Sequence, residues 1–387
     1  MHVQVGRNRF AYQSYGFDDI ALVPGSKTID PIDTDISWSI GSLRFAIPVL
    51  ASAMDSCVDL RVMKEMHKLG GLGVMNLQGI QVKYENPEDA LEKIRNATVE
   101  QSTKVIQELT AEPVKEELVV KRVKEMKDTG IVACGSFTPQ FAETLGMKAV
   151  HAGLDIMVIQ STVTSLRHES SKCKSLSLKE ICSKAGIPVL IGNCVTYEVA
   201  IEIMRAGASG VLVGIGPGAT CTTRGVLAVG AGQVTSTADC AAARDDYFEE
   251  SGRHVPVITD GGISKGGDVV KAFASGADAI MLGTPIARSK ESPGRGYHWG
   301  MATGHPTLPR GTRIKVEELG SLRELLVGPS VNRSDGSLNL MGALREAMGV
   351  LGCHDLKELQ SANMVVCQSF LTEGKSFQIT QRVGMGK

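Results

Sequence analysis

The sequence predicts a (β/α)8 barrel, and three observations carry that expectation. Short apolar runs alternate with amphipathic stretches between residues 45 and 285, and most of the runs are continuous rather than alternating in polarity. Continuous runs suit parallel strands buried on both faces. A weak internal repeat supports the same reading: HAGLDIMVIQ (151–160), RAGASGVLVG (205–214) and ASGADAIMLG (274–283) each end a helix at glycine, turn, and enter a strand. Close to eight strand candidates fall in this span, which favours closure into a barrel of ~250 residues over an open sheet.

Taken in order, Phe45–Ser52 reads as the first strand, Val58–Leu69 as a helix and Gly71–Met75 as the second strand. Further strands are expected at Ile131–Cys134, Asp155–Ile159, Pro188–Ile191, Gly210–Val213, Val255–Thr259 and Asp278–Leu282, with helices notably at Thr196–Arg205 and Lys265–Ala274. Residues 84–130, rich in Glu and Lys, break the rhythm and read as a solvated helical insertion after the second strand. Residues 290–340, rich in Gly, Pro, Arg and Ser, read as a mobile flap or binding loop. Gly342–Leu351 looks helical, and the chain end looks frayed. Residues 1–387 are therefore expected to form one barrel domain.

Composition narrows the partners. A net charge of −1 gives no electrostatic footprint for nucleic acid or an acidic membrane. No apolar run approaches the roughly 20 residues that span a bilayer. Met1–Phe10 is polar and basic, without the apolar stretch of a secretory signal, so a cytoplasmic location is expected. The nine cysteines (57, 134, 173, 182, 194, 221, 240, 353 and 367) are irregularly spaced and contain no CxxC, which suggests free thiols in a reducing compartment. Most should pack as small hydrophobes.

One cysteine stands apart. VGIGPGATCTTRG (213–225) follows a strand candidate directly, and its glycines, proline, threonines and arginine do not resemble core packing. Such a turn can aim amides at a phosphate or carbonyls at a cation. At the C-terminal end of a barrel strand it would present Cys221 as a nucleophile. Cys57, Cys134 and Cys182 are read as structural. A second pair of strand ends, PVITDGGI (256–263) and DAIMLGTPIA (278–287), places Asp260 one β/α unit before Gly283. Loops after the last two strands of this fold often hold phosphate, and an acid one sugar-width away would take a ribose diol. Together they spell a 5′-nucleotide. Weaker candidates are Ser52 and Met54 in ASAMD, Asn193 after a strand, His298, and Arg310 and Arg313 on the presumed flap. No GxGxxG opens a βαβ unit, so a dinucleotide-binding domain is not indicated.

These residues together resemble the IMP dehydrogenase/GMP reductase family. The motifs are FDDIALVP (17–24), SAMDS (52–56), GNCVT (192–196), GIGPGATCTTR (214–224), DGGI (260–263), MLGT (281–284) and Gly300-Met301, and the likeness covers most of the chain. The resemblance implies a (β/α)8 barrel assembled as a homotetramer or octamer. It implies that Cys221 attacks C2 of the purine of IMP, that hydride passes to NAD, and that water cleaves the thioimidate to XMP. Thr223 would assist, Glu318 would contact the purine or relay protons, and Arg310 on the flap would activate water. Asp260 would bind ribose, and Gly261, Gly262, Gly283 and Thr284 the phosphate region. Ser52, Met54, His298, Trp299, Gly300, Met301 and Ala302 would line the substrate. Gln160, Ser161, Thr162, Asn193, Gly214 and Gly216 would meet the cofactor. Carbonyls of Gly216, Gly218 and Cys221 match a loop for a monovalent cation, by family potassium.

The sequence also departs from the family pattern. The phosphate-binding Ser before the nucleophile is Ala219, the acid that often meets the cofactor ribose aligns with Gln160, and the basic residue before VGIGPG is Leu212. The run Tyr-Arg-Gly-Met-Gly-Ser becomes His298-Trp299-Gly300-Met301-Ala302-Thr303, and Arg310 is followed by Gly311 in place of Tyr. Residues 84–130 are too few for the paired regulatory CBS domains of many family dehydrogenases, so no adenine-nucleotide regulation through them is expected. Two alternatives remain open at this point: a GMP reductase that consumes NADPH, and a purine-nucleotide-binding barrel without turnover.

Overall fold

A computed structural model describes residues 2–167, 169, 177–300 and 312–367. Eight parallel strands close a barrel: β1 (Val49–Ala51), β2 (Leu72–Gly73, continued at Met75–Asn76), β3 (Cys134–Phe137), β4 (Ile156–Gln160), β5 (Val189–Cys194), β6 (Gly210–Val213), β7 (Val257–Asp260) and β8 (Ala279–Leu282). Pairing runs in sequence order, and β8 returns to β1 through Ile280↔Val49. The two pieces of β2 bridge to either side, Leu50↔Leu72 and Met75↔Gly135.

Two apolar layers explain the continuous runs in the sequence. Leu50, Leu72, Ile156, Val158, Leu190, Leu212, Ile258 and Met281 fill the barrel interior. Their neighbours Met157, Ile159, Ile191, Val211, Val213, Val257 and Ile280 face outward and pack against the helices. Because both faces are buried, the period of two is masked. Trp38 and Phe45, from the hairpin Trp38–Ile40/Leu43–Phe45, stack at 5.4 Å and join the interior cluster.

Several boundaries shift for identifiable reasons. The expected strand Phe45–Ser52 is two elements, because Pro48 has no N–H to give a ladder; Phe45 ends the hairpin and β1 starts at Val49. The third strand lies at Cys134–Phe137, past the expected Ile131–Cys134, since Gly135 and Ser136 do not look like strand core. Helix caps move other starts inward: Asp59 accepts from Val62 N–H, and Thr196 from Val199 N–H. The 19-residue helix Gln233–Ser251 has no counterpart among the expected elements.

Residues 84–130 hold three helices, Pro87–Asn96, Val99–Ala111 and Glu116–Asp128. The third is no solvated excursion. Its Leu118, Val119, Val123 and Met126 are buried in the outer barrel core. The first two form an excursion whose apolar side, Ala90, Leu91, Ile94 and Ile106, closes over Trp299. Residues 290–340 include an antiparallel ribbon, Tyr297–Trp299 with Arg313–Lys315, and the short helix Leu322–Leu326. Near the end, Met364–Val366 pairs with Ile20–Leu22. Among the described residues no helix is long and apolar enough to cross a membrane.

Candidate functional site

A cavity of about 900 Å³ opens at the C-terminal ends of the strands. This is the catalytic face of such barrels, and the volume lies at the upper end of the usual ligand-cavity range. Of the residues singled out from sequence, Ser52, Met54, Gln160, Ser161, Thr162, Asn193, Gly214, Gly216, Gly218, Cys221, Thr223, Asp260, Gly261, Gly262, Gly283, Thr284, His298 and Gly300 all line it.

Cys221 is placed by the turn that follows β6. Gly214 (φ +145°) and Gly216 (φ +75°) adopt backbone conformations that other residues rarely take. A Cβ at Gly214 would also come within 2.3 Å of the Asp260 carbonyl. The chain then folds back so that Cys221 N–H donates to Gly218 O at 3.0 Å. The thiol is exposed, and it stands 3.1 Å from the hydroxyl of buried Thr223. That hydroxyl can accept from the thiol or donate to the thiolate. The other cysteines differ. Cys57 and Cys134 are buried, and burial pushes the Cys57 thiol up to about 12 and raises Cys134 as well. Cys182 is half-buried and pushed up to about 11 by the same cause. Cys173 lies outside the described residues.

The ends of β4, β5 and β7 converge on one carboxylate. Asp260 Oδ2 accepts from Gln160 Nε2 at 2.8 Å and from Asn193 Nδ2 at 2.8 Å, while Gln160 Nε2 also reaches Asn193 Oδ1 at 3.0 Å. Burial pushes Asp260 up to about 6, and the two amide donors oppose that rise. Beside it, the N–H groups of Gly262 and Gly283 find no acceptor among the described residues, so they remain available to an anion. Below it sits Gln233, which the sequence reading did not single out. Its Nε2 donates to Val213 O at 2.6 Å and reaches Asp260 O at 3.4 Å, tying the ends of β6 and β7 together.

The ribbon that closes one side of the cavity divides its residues by face. His298 faces the cavity; its Nδ1 lies 2.9 Å from Ser56 Oγ, and burial lowers its ring to about 4, so it is neutral at pH 7. The next side chain, Trp299, points the other way into the cluster beneath the excursion and does not line the main cavity. Its proposed substrate contact is therefore corrected to a packing role, as strand geometry requires of neighbouring residues. Glu318 is corrected likewise: it is exposed and stands outside the cavity. Arg313 is engaged elsewhere, donating to the carbonyls of Ile94, Arg95 and Ala97 and lying 4.2 Å over the Tyr297 ring. Met301, Ala302 and Arg310 lie outside the described residues.

A smaller cavity of about 180 Å³ is lined by Trp299 and Gly300, and Asp55, Asn76, Lys83 and Thr138 share its wall. Asp55 accepts from Ile80 N–H at 3.0 Å, yet burial dominates and pushes it up to about 7. A carboxyl raised on folding stabilises the folded state when protonated, and that contribution is lost as pH rises through the folded value. Asp55→Asn is therefore expected to gain stability over the parent by about 1.4 kcal/mol per pH unit between pH 5 and 7, and to hold that gain above pH 7. Thermal melts of both proteins across that range check this; a pH-independent difference would contradict it.

Comparisons with known proteins agree with this geometry. Residues 14–303 match the family model described as IMP dehydrogenase / GMP reductase domain. An uncharacterized oxidoreductase of Mycobacterium tuberculosis is 38% identical over 374 residues, covering 94% of this chain and 99% of that protein. The inosine-5'-monophosphate dehydrogenase of Cryptosporidium parvum is 28% identical over 390 residues, with 89% of each chain covered. The crystal structure of an IMP dehydrogenase/GMP reductase-like protein from Corynebacterium glutamicum superposes with a TM-score of 0.89 at 35% identity, covering 95% of this chain and 98% of that one.

Proposed function

Since the chain belongs to the IMP dehydrogenase/GMP reductase family, we propose that it is an NAD-dependent IMP dehydrogenase. The observation that carries the reading is an exposed thiol, Cys221, in the same cavity as Asp260 and beside a hydroxyl at 3.1 Å. The Cys221 thiolate adds to C2 of the bound purine, and Thr223 O–H can donate to the sulfur before attack. C2 becomes tetrahedral and gives up its hydride, restoring the C=N bond as a thioimidate. Water then adds at C2, and the sulfur departs with the electron pair of the S–C bond, leaving XMP. NAD supplies the hydride acceptor when bound. Holding the reacting carbon in line with an activated nucleophile is a usual source of rate in such covalent catalysis.

The remaining roles follow from position. Asp260 binds the ribose diol, and the N–H groups of Gly262 and Gly283, with Thr284, take the phosphate. Ser52, Met54, His298 and Gly300 surround the substrate, and Met301, Ala302 and Arg310 keep the roles that the family resemblance gives them. Ser161 and Thr162 belong to the wall beyond Gln160, on the side left for the cofactor. The carbonyls of Gly216, Gly218 and Cys221 would supply the all-oxygen ligands that a hard monovalent cation takes, the role that the family resemblance gives them. Family membership also supports a cytoplasmic homotetramer or octamer.

One spectrophotometric comparison tests the proposal. IMP plus NAD with potassium is expected to produce NADH. Oxidation of NADPH with GMP in its place would make the protein a GMP reductase, and nucleotide binding without either reaction would make it a binding protein.

A further inference from the structure

The amide of Gln160, at the end of β4, is turned toward Asp260 at the end of β7. Gln160 Nε2 spends its donors on Asp260 Oδ2 at 2.8 Å and Asn193 Oδ1 at 3.0 Å. Both donors to Asp260 converge on the same oxygen, Oδ2, at equal distance. Oδ1 takes no hydrogen bond from the described residues. A carboxylate held at one oxygen by two amides from two different strands cannot rotate without breaking both bonds. Its second oxygen is thereby fixed as the acceptor presented to the cavity.

We infer that Gln160 is a positioning residue for the nucleotide: it clamps Oδ2 of Asp260 so that Oδ1 meets the sugar diol, and it acts on nucleotide affinity through Asp260. This deepens the proposed function and rests on its assignment of Asp260 to the ribose. The chemistry explains why an amide serves here. A carboxylate at position 160 could not donate to Asp260, and would set a second negative charge at hydrogen-bond distance from it. An amide donates, carries no charge, and shifts the balance toward the ionised acid that a diol needs.

The test is calorimetric binding of IMP and of its 2′,3′-dideoxy analogue to the parent, Gln160→Leu, Gln160→Glu and Asp260→Asn. Gln160→Leu is expected to weaken IMP roughly tenfold, the scale of one lost charge-assisted hydrogen bond, and to leave the dideoxy analogue unchanged. In the Asp260→Asn background the same substitution should cost little. The parent should bind IMP more tightly as pH rises through about 6, where Asp260 ionises. Gln160→Glu should lose that gain, because two adjacent carboxyls resist ionising together. Among the described residues, the other titratable side chains on the cavity wall are Cys221, His298, Glu143 and Glu180. They act on both ligands alike, so the dideoxy series subtracts them.

Equal weakening of both ligands by Gln160→Leu would overturn the inference, and so would a change in NAD affinity with IMP binding intact. If the parent itself binds the two ligands equally, the assignment of Asp260 to the diol fails instead. The two failures are thus distinguishable. Gln160→Glu keeps the test open should the leucine variant not fold.

Discussion

Cys221→Ala is expected to abolish turnover while nucleotide affinity survives. A nucleophile that forms the covalent intermediate has no substitute in the site, so the loss should reach at least ~10³–10⁴-fold in kcat. The geometry leaves little room for a stand-in. Cys57, Cys134, Cys194, Cys240 and Cys353 are buried. Binding should persist because the Asp260 diol site and the N–H groups of Gly262 and Gly283 do not involve the sulfur. Truncation of an exposed side chain should also leave stability nearly untouched. Steady-state rates, IMP calorimetry and intact-protein mass spectrometry of the parent during turnover check the three parts. The mass should show a purine nucleotide on Cys221. Residual activity within tenfold of the parent, or a trapped adduct on another residue, would remove the sulfur from the mechanism.

The barrel was legible because its strands announce themselves. Burial on both faces writes β4 to β8 as unbroken apolar runs, and the glycine at each helix end marks the turns between them. Legibility failed where burial is carried by small or polar residues. Helix Gln233–Ser251 buries Ser236, Thr237, Ala241 and Ala243 and even Arg244, whose charge is met by Asp278 at 2.8 Å. No apolar stripe of helical period survives in such a segment. The insertion was read as one solvated unit because Glu and Lys dominate its composition, although only the outer faces of its third helix are wet.

The site divides the same way. The turn around Cys221 could be read locally, since glycines, cysteine and threonines are adjacent in sequence. The clamp on Asp260 could not, because its members are 67 and 100 residues away from the acid. A lone Gln at a strand end carries no signal of which carboxylate it will meet. Trp299 shows the opposite error. The family resemblance gives Trp299 and His298 one shared role, but consecutive residues of an extended ribbon face opposite ways, and of the two only His298 reaches the cavity.

Trp299→Ala is expected to destabilise the protein by about 3–5 kcal/mol, the usual scale for removing a buried aromatic side chain. Trp299 is 2% exposed and is the largest member of a cluster with Ile80, Ala90, Leu91, Ile94 and Ile106. A cavity of about 180 Å³ already borders it, so the gap left behind would merge with existing space rather than collapse. Polar contacts also hold the excursion to the ribbon and its flanks, among them the Arg295–Glu88 ion pair at 3.2 Å. Arg313 anchors the partner strand to the carbonyls of Ile94, Arg95 and Ala97, and Arg95 reaches Pro293 O at 2.9 Å. Trp299→Ala and Arg313→Ala should therefore be non-additive, each loosening what the other holds. Trp299→Phe should recover much of the loss by refilling the volume. The same ribbon presents His298 and Gly300 to the nucleotide cavity, so KM for the nucleotide should rise in Trp299→Ala, whereas a variant of the exposed Glu318 should change neither KM nor stability. Chemical denaturation and initial rates measure both effects. An alanine variant as stable as the parent would mean that the excursion does not brace the ribbon, and a KM unchanged despite lost stability would separate the brace from the site.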